Sequence, residues 1–242
     1  MAERCIKSWR EHCPDYSIVR WDESNFDVSQ NQYCREAYEL GKWAFVSDYA
    51  RLWVLVHEGG IYMDTDVELT KSLDPFLGET AFSGFESVGS VQTGLMASQN
   101  GFPLFEKMLS DYEFRSFILP DGTLNTTTNV EYITEMCVRN GLILNGKKQT
   151  VADFTLFPQE YFCPKNYISK ELEVTPNTYA IHHFDGSWLP EELRLYHSNK
   201  ELLGKIVPWL PKKIKSMLAL VLACITFGSF APYKSWRSNA DR

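Results

Sequence analysis

The segment 44–66 is the part of this 242-residue chain that most constrains its fold. Residues 44–57 are almost all apolar and have the length of a helix, and a Gly-Gly pair follows as the helix end and turn. A short apolar run then leads directly into Asp64 and Asp66. The segment therefore predicts a buried helix, a tight turn and a strand that ends in two carboxylates.

The chain up to residue 207 alternates predicted helices with predicted strands and shows no repeat or low-complexity linker. The predicted helices are residues 5–9, 32–40, 103–112 and 130–140, and the predicted strands are residues 17–21, 81–85, 94–97, 154–157 and 179–182. Such alternation is typical of a mostly parallel sheet covered by helices, which binds ligands at the carboxyl ends of its strands. Residues 1–207 are therefore predicted to form one α/β domain.

Charge and cysteine usage narrow the possible functions. The formal net charge is −7 and no long cationic run is present, so a nucleic-acid partner is disfavoured electrostatically. A polyanionic ligand would have to be bound locally, by a metal ion or a few arginines. The six cysteines are scattered without zinc-type spacing, and the first residues lack the apolar stretch of a secretory signal. These features predict reduced thiols and a cytoplasmic protein.

Asp64 and Asp66 form the first candidate site. Two carboxylates at this spacing can both present oxygen to one hard cation, such as Mg²⁺ or Mn²⁺, and such an ion neutralises a diphosphate. The spacing alone is a weak signal, because a solvated turn after an edge strand can carry the same residues.

Asp48 and Arg51 form a second candidate site within the apolar helix. They are three residues apart and share one face of a helix that is otherwise suited to burial. An intrahelical salt bridge is the simplest interpretation. Buried charge is costly unless it is paired or meets a ligand, so a ligand-binding role is the alternative.

Residues 45–52 and 59–67, in this order and spacing, resemble the signature of the DXD-motif sugar-binding glycosyltransferases. That family includes bacterial capsular and surface-polysaccharide transferases, yeast Golgi α-mannosyltransferases and, more remotely, clostridial glucosylating toxins. Further blocks look like the bacterial polysaccharide branch, namely residues 5–26, 92–94, 128–130, 161–164 and 180–188.

The resemblance implies a GT-A type nucleotide-sugar-binding fold and a retaining, metal-dependent transfer. The donor would be a UDP- or GDP-linked sugar, the acceptor a glycan or lipid-linked glycan in capsule or other polysaccharide synthesis, and the cofactor Mn²⁺ or Mg²⁺. By the same resemblance Asp66 binds the metal directly and Asp64 supports the metal and the ribose. Asp48 and Arg51 hold the donor sugar, and all four residues count as catalytic.

Further site residues carry over from the family. Tyr62 would line the donor pocket, His182 would be a metal ligand, and Ser187 and Trp188 would cap the donor diphosphate. For His182 and its neighbour His183, a strand-end histidine bonded to the backbone is the alternative.

No residue is identified as a nucleophile or general base, and Glu86 and Gln92 are the polar residues to examine near the sugar. Two other function classes stay open. One is a degenerate protein that binds a sugar nucleotide without turnover. The other is an aspartate-nucleophile phosphatase, which is disfavoured because Glu68 stands where those enzymes have Thr or Val.

Both ends of the sequence depart from the family pattern. Members usually begin with a strand that precedes the first helix, so the fold is expected to lack its first strand. Residues 208–242 are a basic and apolar tail, whose uncharged run 217–231 would span roughly 22 Å as a helix, short of the ~30 Å core of a bilayer. We expect residues 212–237 to contact the inner face of the cell membrane peripherally. A core helix and a truncated membrane span are the alternatives.

Overall fold

The computed structural model describes residues 1–167, 169–186 and 191–227. Residues Met1–Asp185 form one compact unit, and the last two helices belong to a second unit. The two units divide after Asp185, whereas the basic and apolar tail of the sequence begins at residue 208. The functional division into a transferase domain of residues 1–207 and a tail of residues 208–242 stays a prediction.

The first unit contains six α-helices and eight strands among the described residues. The helices are α1 (Ala2–His12), α2 (Gln32–Glu39), α3 (Trp43–His57), α4 (Pro103–Ser110), α5 (Asn129–Arg139) and α6 (Gln159–Phe162). The strands are β1 (Gly60–Met63), β2 (Val67–Leu69), β3 (Ala81–Ser87), β4 (Ser90–Val91), β5 (Leu95–Ser98), β6 (Gln149–Val151), β7 (Phe154–Phe157) and β8 (Ala180–His182).

The main sheet has the strand order β1-β5-β3-β7-β6, with β4 paired to β3, and β2 and β8 form a separate antiparallel pair. The α/β class is confirmed, but the expectation of a mostly parallel sheet is wrong. Among the described strands only β3 and β7 run parallel. Short connections explain the difference, because a two-residue turn with positive φ at Ala152 and Asp153 joins β6 to β7 and can only make a hairpin.

Most predicted elements are confirmed within a few residues, and the strand predicted at residues 17–21 is not. Residues 17–20 have no regular structure, and Ile18 and Val19 are exposed. An alternating segment becomes a strand only when a neighbour supplies its hydrogen bonds, and none of the described strands pairs with this one.

The main sheet lies between two apolar clusters, because successive side chains of a strand point to opposite faces. In β5, Met96 joins the cluster that contains buried residues of α2 to α5, whereas Leu95 joins the cluster that contains α1 and α6. In β7, Phe154 and Phe157 divide between the same two clusters. Helix α3 is thus fixed on one face of the sheet, while α1 covers the other.

The second unit contains α7 (Glu191–Ile206) and α8 (Lys212–Phe227). They pack on each other through a small cluster around Tyr196, Ala219 and Ala223. In the described part of the chain, no helix combines the length and the apolarity that a membrane span requires.

Candidate functional site

Asp64, Asp66 and His182 come together although the histidine is distant in the sequence. Asp64 directly follows β1, Asp66 directly precedes β2, and His182 ends β8. The β2–β8 pair sets Val67 opposite His182, and the next backbone N–H, that of His183, donates to the Asp66 carbonyl at 3.0 Å. One ligand atom from each of the three side chains lies within 4.8 Å of the others. The structure thus assembles the three residues predicted to bind metal.

The Asp66 carboxylate is held from two sides. Its Oδ1 lies 3.3 Å from Nε2 of His182, and its Oδ2 accepts the Asp185 backbone N–H at 2.8 Å. Burial raises the pKa of Asp66, but the His182 and backbone hydrogen bonds outweigh it and the pKa is lowered. Burial lowers the pKa of His182, yet the hydrogen bond to Asp66 and the nearby carboxylates raise it overall. Asp66 is therefore a carboxylate at neutral pH.

The donor atoms of this group fit a divalent cation. Two carboxylates supply hard oxygen ligands, which Mg²⁺ and Mn²⁺ prefer, and an imidazole nitrogen is a ligand that Mn²⁺ also accepts. The Nδ1 atom of His182 is buried and has no hydrogen-bond partner in the described part of the chain. A buried nitrogen without a partner is costly, and a metal ion would satisfy it.

Gly94 lies directly against this group. Its carbonyl accepts the Asp64 N–H at 2.8 Å. A Cβ atom at this position would lie 2.9 Å from two ring atoms of His182 and 3.2 Å from Oδ2 of Asp64. Only glycine lets the two predicted metal ligands approach so closely. The sequence comparison placed Gly94 in a family block at residues 92–94, but gave it no role.

Arg51 is almost completely buried and binds the first of the two aspartates. One guanidinium nitrogen lies 3.5 Å from Oδ1 of Asp64, another donates to the Thr93 carbonyl at 2.6 Å, and Nε donates to the Ser47 carbonyl at 3.1 Å. The guanidinium carbon lies 4.8 Å from the ring centre of Tyr62, whose hydroxyl donates to the same Asp64 oxygen at 2.7 Å. Arg51 and Tyr62 therefore fix the Asp64 carboxylate.

Asp48 is bound to the start of α5. Its Oδ1 lies 3.3 Å from Arg51, and its Oδ2 accepts the backbone N–H of Asn129 at 3.1 Å. The Asn129 side-chain amide in turn donates to the backbone carbonyl of Asp48 at 2.6 Å, and its oxygen accepts a hydrogen bond from the Tyr112 hydroxyl at 2.8 Å. Burial raises the pKa of Asp48 to about 6, although Arg51 and the Asn129 N–H lower it. The predicted salt bridge exists, and it belongs to a larger buried network.

Sequence reasoning missed Asn129 as part of this network. A signal was present, because Thr128 precedes α5 and Glu131 follows three residues later, a pattern typical of a helix start. That pattern places the first N–H groups of α5, but it does not reveal that Asp48 receives one of them.

His183 is engaged elsewhere. Its Nε2 lies 2.7 Å from Oε2 of Glu68, and Glu68 also accepts hydrogen bonds from the Arg4 guanidinium in α1. This agrees with the choice of His182 over His183 as the candidate ligand. Glu68, which stands where the phosphatases have Thr or Val, therefore has a structural partner in Arg4.

Glu86 and Gln92 differ in their surroundings. Burial raises the pKa of Glu86, and the charges of His182 and Asp64 act on it as well. Gln92 is fully buried, and neither atom of its side-chain amide has a hydrogen-bond partner in the described residues. The predicted diphosphate-capping residues Ser187 and Trp188 lie outside the described residues, so their roles stay predictions.

Part of the chain matches the sequence model of a known protein family. Residues 2–83 match the model described as a glycosyltransferase sugar-binding region containing the DXD motif. This range includes α3, β1 and both aspartates of the site. No solved structure matches the chain significantly.

Curated relatives carry related names. An uncharacterised glycosyltransferase of Acanthamoeba polyphaga mimivirus is 28% identical over 177 residues, which is 69% of this chain and 68% of the relative. A mannosyl phosphorylinositol ceramide synthase of Saccharomyces cerevisiae is 32% identical over 138 residues, 53% of this chain and 36% of the relative. An inositol phosphoceramide mannosyltransferase of Schizosaccharomyces pombe is 31% identical over 98 residues, 37% and 26% of the two chains.

The chain therefore spans about two thirds of the viral relative, about a third of the Saccharomyces relative and about a quarter of the Schizosaccharomyces one. Its two aspartates and its buried arginine lie within the matched sugar-binding region. Over residues 2–83 the chain is therefore similar to the sugar-binding region of the DXD-motif glycosyltransferases, and the names of its relatives agree with that similarity.

Proposed function

We propose that this chain is a retaining, metal-dependent glycosyltransferase that moves a hexose or N-acetylhexosamine from a nucleotide sugar to a surface glycan or lipid-linked acceptor. The observation that carries the proposal is the group of Asp64, Asp66 and His182, whose ligand atoms lie within 4.8 Å of one another. Among the described residues of Met1–Asp185, Arg51 next to Asp64 is the only buried arginine.

The proposed metal, Mn²⁺ or Mg²⁺, would be held by Asp64, Asp66 and His182. When bound, it supplies charge that stabilises the diphosphate leaving group. The protein's own part is positional. Arg51 and Tyr62 orient the Asp64 carboxylate, and the Asp185 N–H and His182 orient that of Asp66. Fixed groups of this kind stabilise developing charge without reorganising during the reaction.

The donor-binding roles proposed for Asp48 and Arg51 require that both side chains reach the donor although they already have partners within the protein. Both side chains are largely occupied within the protein, by Asn129, Thr93, Ser47 and each other. We propose that they hold the donor sugar through the small accessible part of the Asp48 side chain, which is 12% exposed. Tyr62, Ser187 and Trp188 would complete the donor pocket. Mannose is the first sugar to test, because two of the named relatives are a mannosyl phosphorylinositol ceramide synthase and an inositol phosphoceramide mannosyltransferase.

A donor-hydrolysis assay tests the reaction and its metal dependence. The wild-type chain, treated with EDTA and then given Mn²⁺, should release nucleoside diphosphate from one of a panel of GDP- and UDP-sugars. Asp66→Asn should reduce turnover at least about 100-fold, because it removes a charged ligand from the metal. Asp153→Asn is the matched control, since Asp153 lies in the β6–β7 turn with φ 61°, which asparagine tolerates.

Unchanged turnover in Asp66→Asn would overturn the assignment. Metal-dependent binding of a nucleotide sugar in calorimetry, without any turnover, would instead identify a sugar-nucleotide-binding protein. Release of phosphate from simple monoesters would favour the phosphatase class. The anomeric configuration of the product, read by NMR, tests retention.

The proposed location is the cytoplasm, with peripheral contact to the inner face of the cell membrane through residues 212–237. The basic and apolar composition of this tail supports the contact. Capsular or other surface polysaccharide is the acceptor class that we propose on the family resemblance. Acceptor assays should therefore include both glycan oligomers and lipid-linked glycans.

A further inference from the structure

Helix α8 has two apolar faces that lie in different environments. Ala219 and Ala223, four residues apart, are buried against α7, and Leu220 packs with them. On the other side, a second set of apolar residues recurs at intervals of three and four and is exposed. We call this set the outer face of α8: Ile214, Met217, Leu218, Val221 and Leu222, with exposures of 37% to 58%.

Packing on α7 does not explain the outer face. A helix that only closes a domain needs one apolar stripe, with polar residues on its opposite side. Here the residues opposite the packed alanines are apolar over the two turns from Met217 to Leu222. A contiguous exposed apolar surface of this kind marks an interaction site.

Charge surrounds the outer face asymmetrically. Lys212 and Lys213 are exposed in the first turn of α8, and Lys215 follows them. Between Glu201 and Asp241 the sequence has six Lys or Arg and no Asp or Glu, in a chain whose net charge is −7. Positive charge is thus concentrated beside the exposed apolar face, and it complements an anionic partner.

Trp209, just before α8, strengthens the same interpretation. Its side chain is 78% exposed, which is unusual for so large an aromatic residue. Tryptophan prefers the boundary between lipid headgroups and acyl chains, and lysine beside it can reach the headgroups.

We propose that the outer face of α8 binds an anionic lipid bilayer, lying in the plane of the surface with Trp209, Lys212 and Lys213 at the headgroup level. Helix α8 has 16 residues, so it is about 24 Å long, and an in-plane helix needs no particular length. The inference deepens the membrane contact in the proposed function by naming its face and its lipid charge. It does not depend on the transfer reaction.

Vesicle flotation of the full chain tests the proposal. We expect the chain to float with phosphatidylcholine vesicles that contain about one third phosphatidylglycerol, and much less with phosphatidylcholine alone. The bound fraction should fall as salt is added. Lys212→Gln with Lys213→Gln should lower the partition coefficient about 30-fold at low salt, since each lysine contributes roughly fivefold. Neither lysine is needed for packing on α7, because both are exposed.

A second variant tests the apolar part. Met217→Glu with Val221→Glu should abolish flotation, because it puts two carboxylates on the outer face without touching the buried alanines. The matched control is Val88→Glu with Ile143→Glu, which makes the same kind of change at two exposed apolar residues of the first unit. Circular dichroism checks that both variants keep their helices. Donor hydrolysis in solution, without vesicles, should be the same in all of these proteins.

Three results would overturn the proposal. The first is a wild-type chain that floats with neither vesicle. The second is a Met217→Glu and Val221→Glu chain that floats as well as wild type. The third is a wild-type chain that does not float, is dimeric by light scattering and becomes monomeric in that variant, which would assign the outer face to self-association. Flotation without donor hydrolysis would leave the lipid proposal standing and remove the transferase proposal.

Discussion

Gly94→Ala should separate assembly of the proposed metal site from stability of the fold. The alanine Cβ would lie 2.9 Å from Cε1 and Nδ1 of His182 and 3.2 Å from Oδ2 of Asp64. Ordinary contacts between such atoms are about 3.5 to 4.0 Å, so the imidazole has to retreat by roughly 0.6 to 1 Å. The Phe184 ring, with its centre 4.1 Å from that of His182, limits where the imidazole can go.

A shift of this size matters more to a metal site than to a core. Metal–ligand distances have to hold within about 0.2 Å, and a misplacement of about 1 Å can cost ~100-fold in rate. We expect Mn²⁺ affinity to fall about 10- to 100-fold and donor hydrolysis about 100-fold. The free energy of unfolding should fall by only about 1 to 3 kcal/mol, the usual cost of one excess methyl group. Gly94 does not have positive φ, so backbone strain adds nothing.

Calorimetric titration with Mn²⁺ and urea unfolding measure the two effects separately. Gly78→Ala is the matched control, because a Cβ at that exposed position meets nothing within 4 Å. If Gly94→Ala binds Mn²⁺ with wild-type affinity, the metal site does not include both Asp64 and His182. If it loses more stability than the stated range, the two effects cannot be separated and our reasoning about Gly94 is wrong.

Further predictions concern stability and pH. Arg51→Met should lower the free energy of unfolding in urea by about 3 to 5 kcal/mol, because it leaves the buried Asp48 carboxylate without its cationic partner. Arg139→Met, at an exposed ion pair with Glu135, should change it by less than about 1 kcal/mol. Equal effects would refute the buried pairing. Glu36→Gln should cost about 1 kcal/mol near neutral pH, because Glu36 accepts the backbone N–H groups of residues 117 and 118 at 2.8 and 2.9 Å. Burial raises the pKa of Glu36, but these hydrogen bonds lower the pKa overall. The stability that Glu36 contributes should therefore be complete at pH values above its ordinary pKa of 4.5, and it should be lost as the pH falls through the lowered pKa of the folded protein. If the free energies of unfolding of wild type and Glu36→Gln differ by the same amount at neutral and at acid pH, this prediction is wrong.

Local patterns predicted most of the elements and the nearest part of the site. The apolar run of α3, the Gly-Gly turn and the strand before Asp64 are short-range features, and they are found as expected. The strands β2, β4 and β6 have only two or three residues, too few for a period of two to be recognised.

The direction of the strands and the partners of the buried charges were not predictable in the same way. Strand direction depends on which distant strands become neighbours, as β3 and β7 do. The bond from Asn129 to Asp48 likewise joins residues 81 positions apart. Helical spacing identified the pair of Asp48 and Arg51. It could not show that Asp64 lies against the same guanidinium nitrogen as Asp48, or that another nitrogen donates to the Thr93 carbonyl.

The β2–β8 pair has a consequence for the order in which the chain acquires activity. Its register joins Val67 to His182 and Leu69 to Ala180, so a loop of more than a hundred residues has to close before the histidine meets the aspartates. Contacts this distant in sequence form slowly, because the chain loses the entropy of loop closure before the new contacts stabilise it. During translation, the two aspartates emerge from the ribosome long before His182. Binding of a metal ion at the proposed three-residue site would therefore require that nearly all of the first unit has been synthesised and folded, and a chain terminated before His182 would lack one of the three proposed ligands.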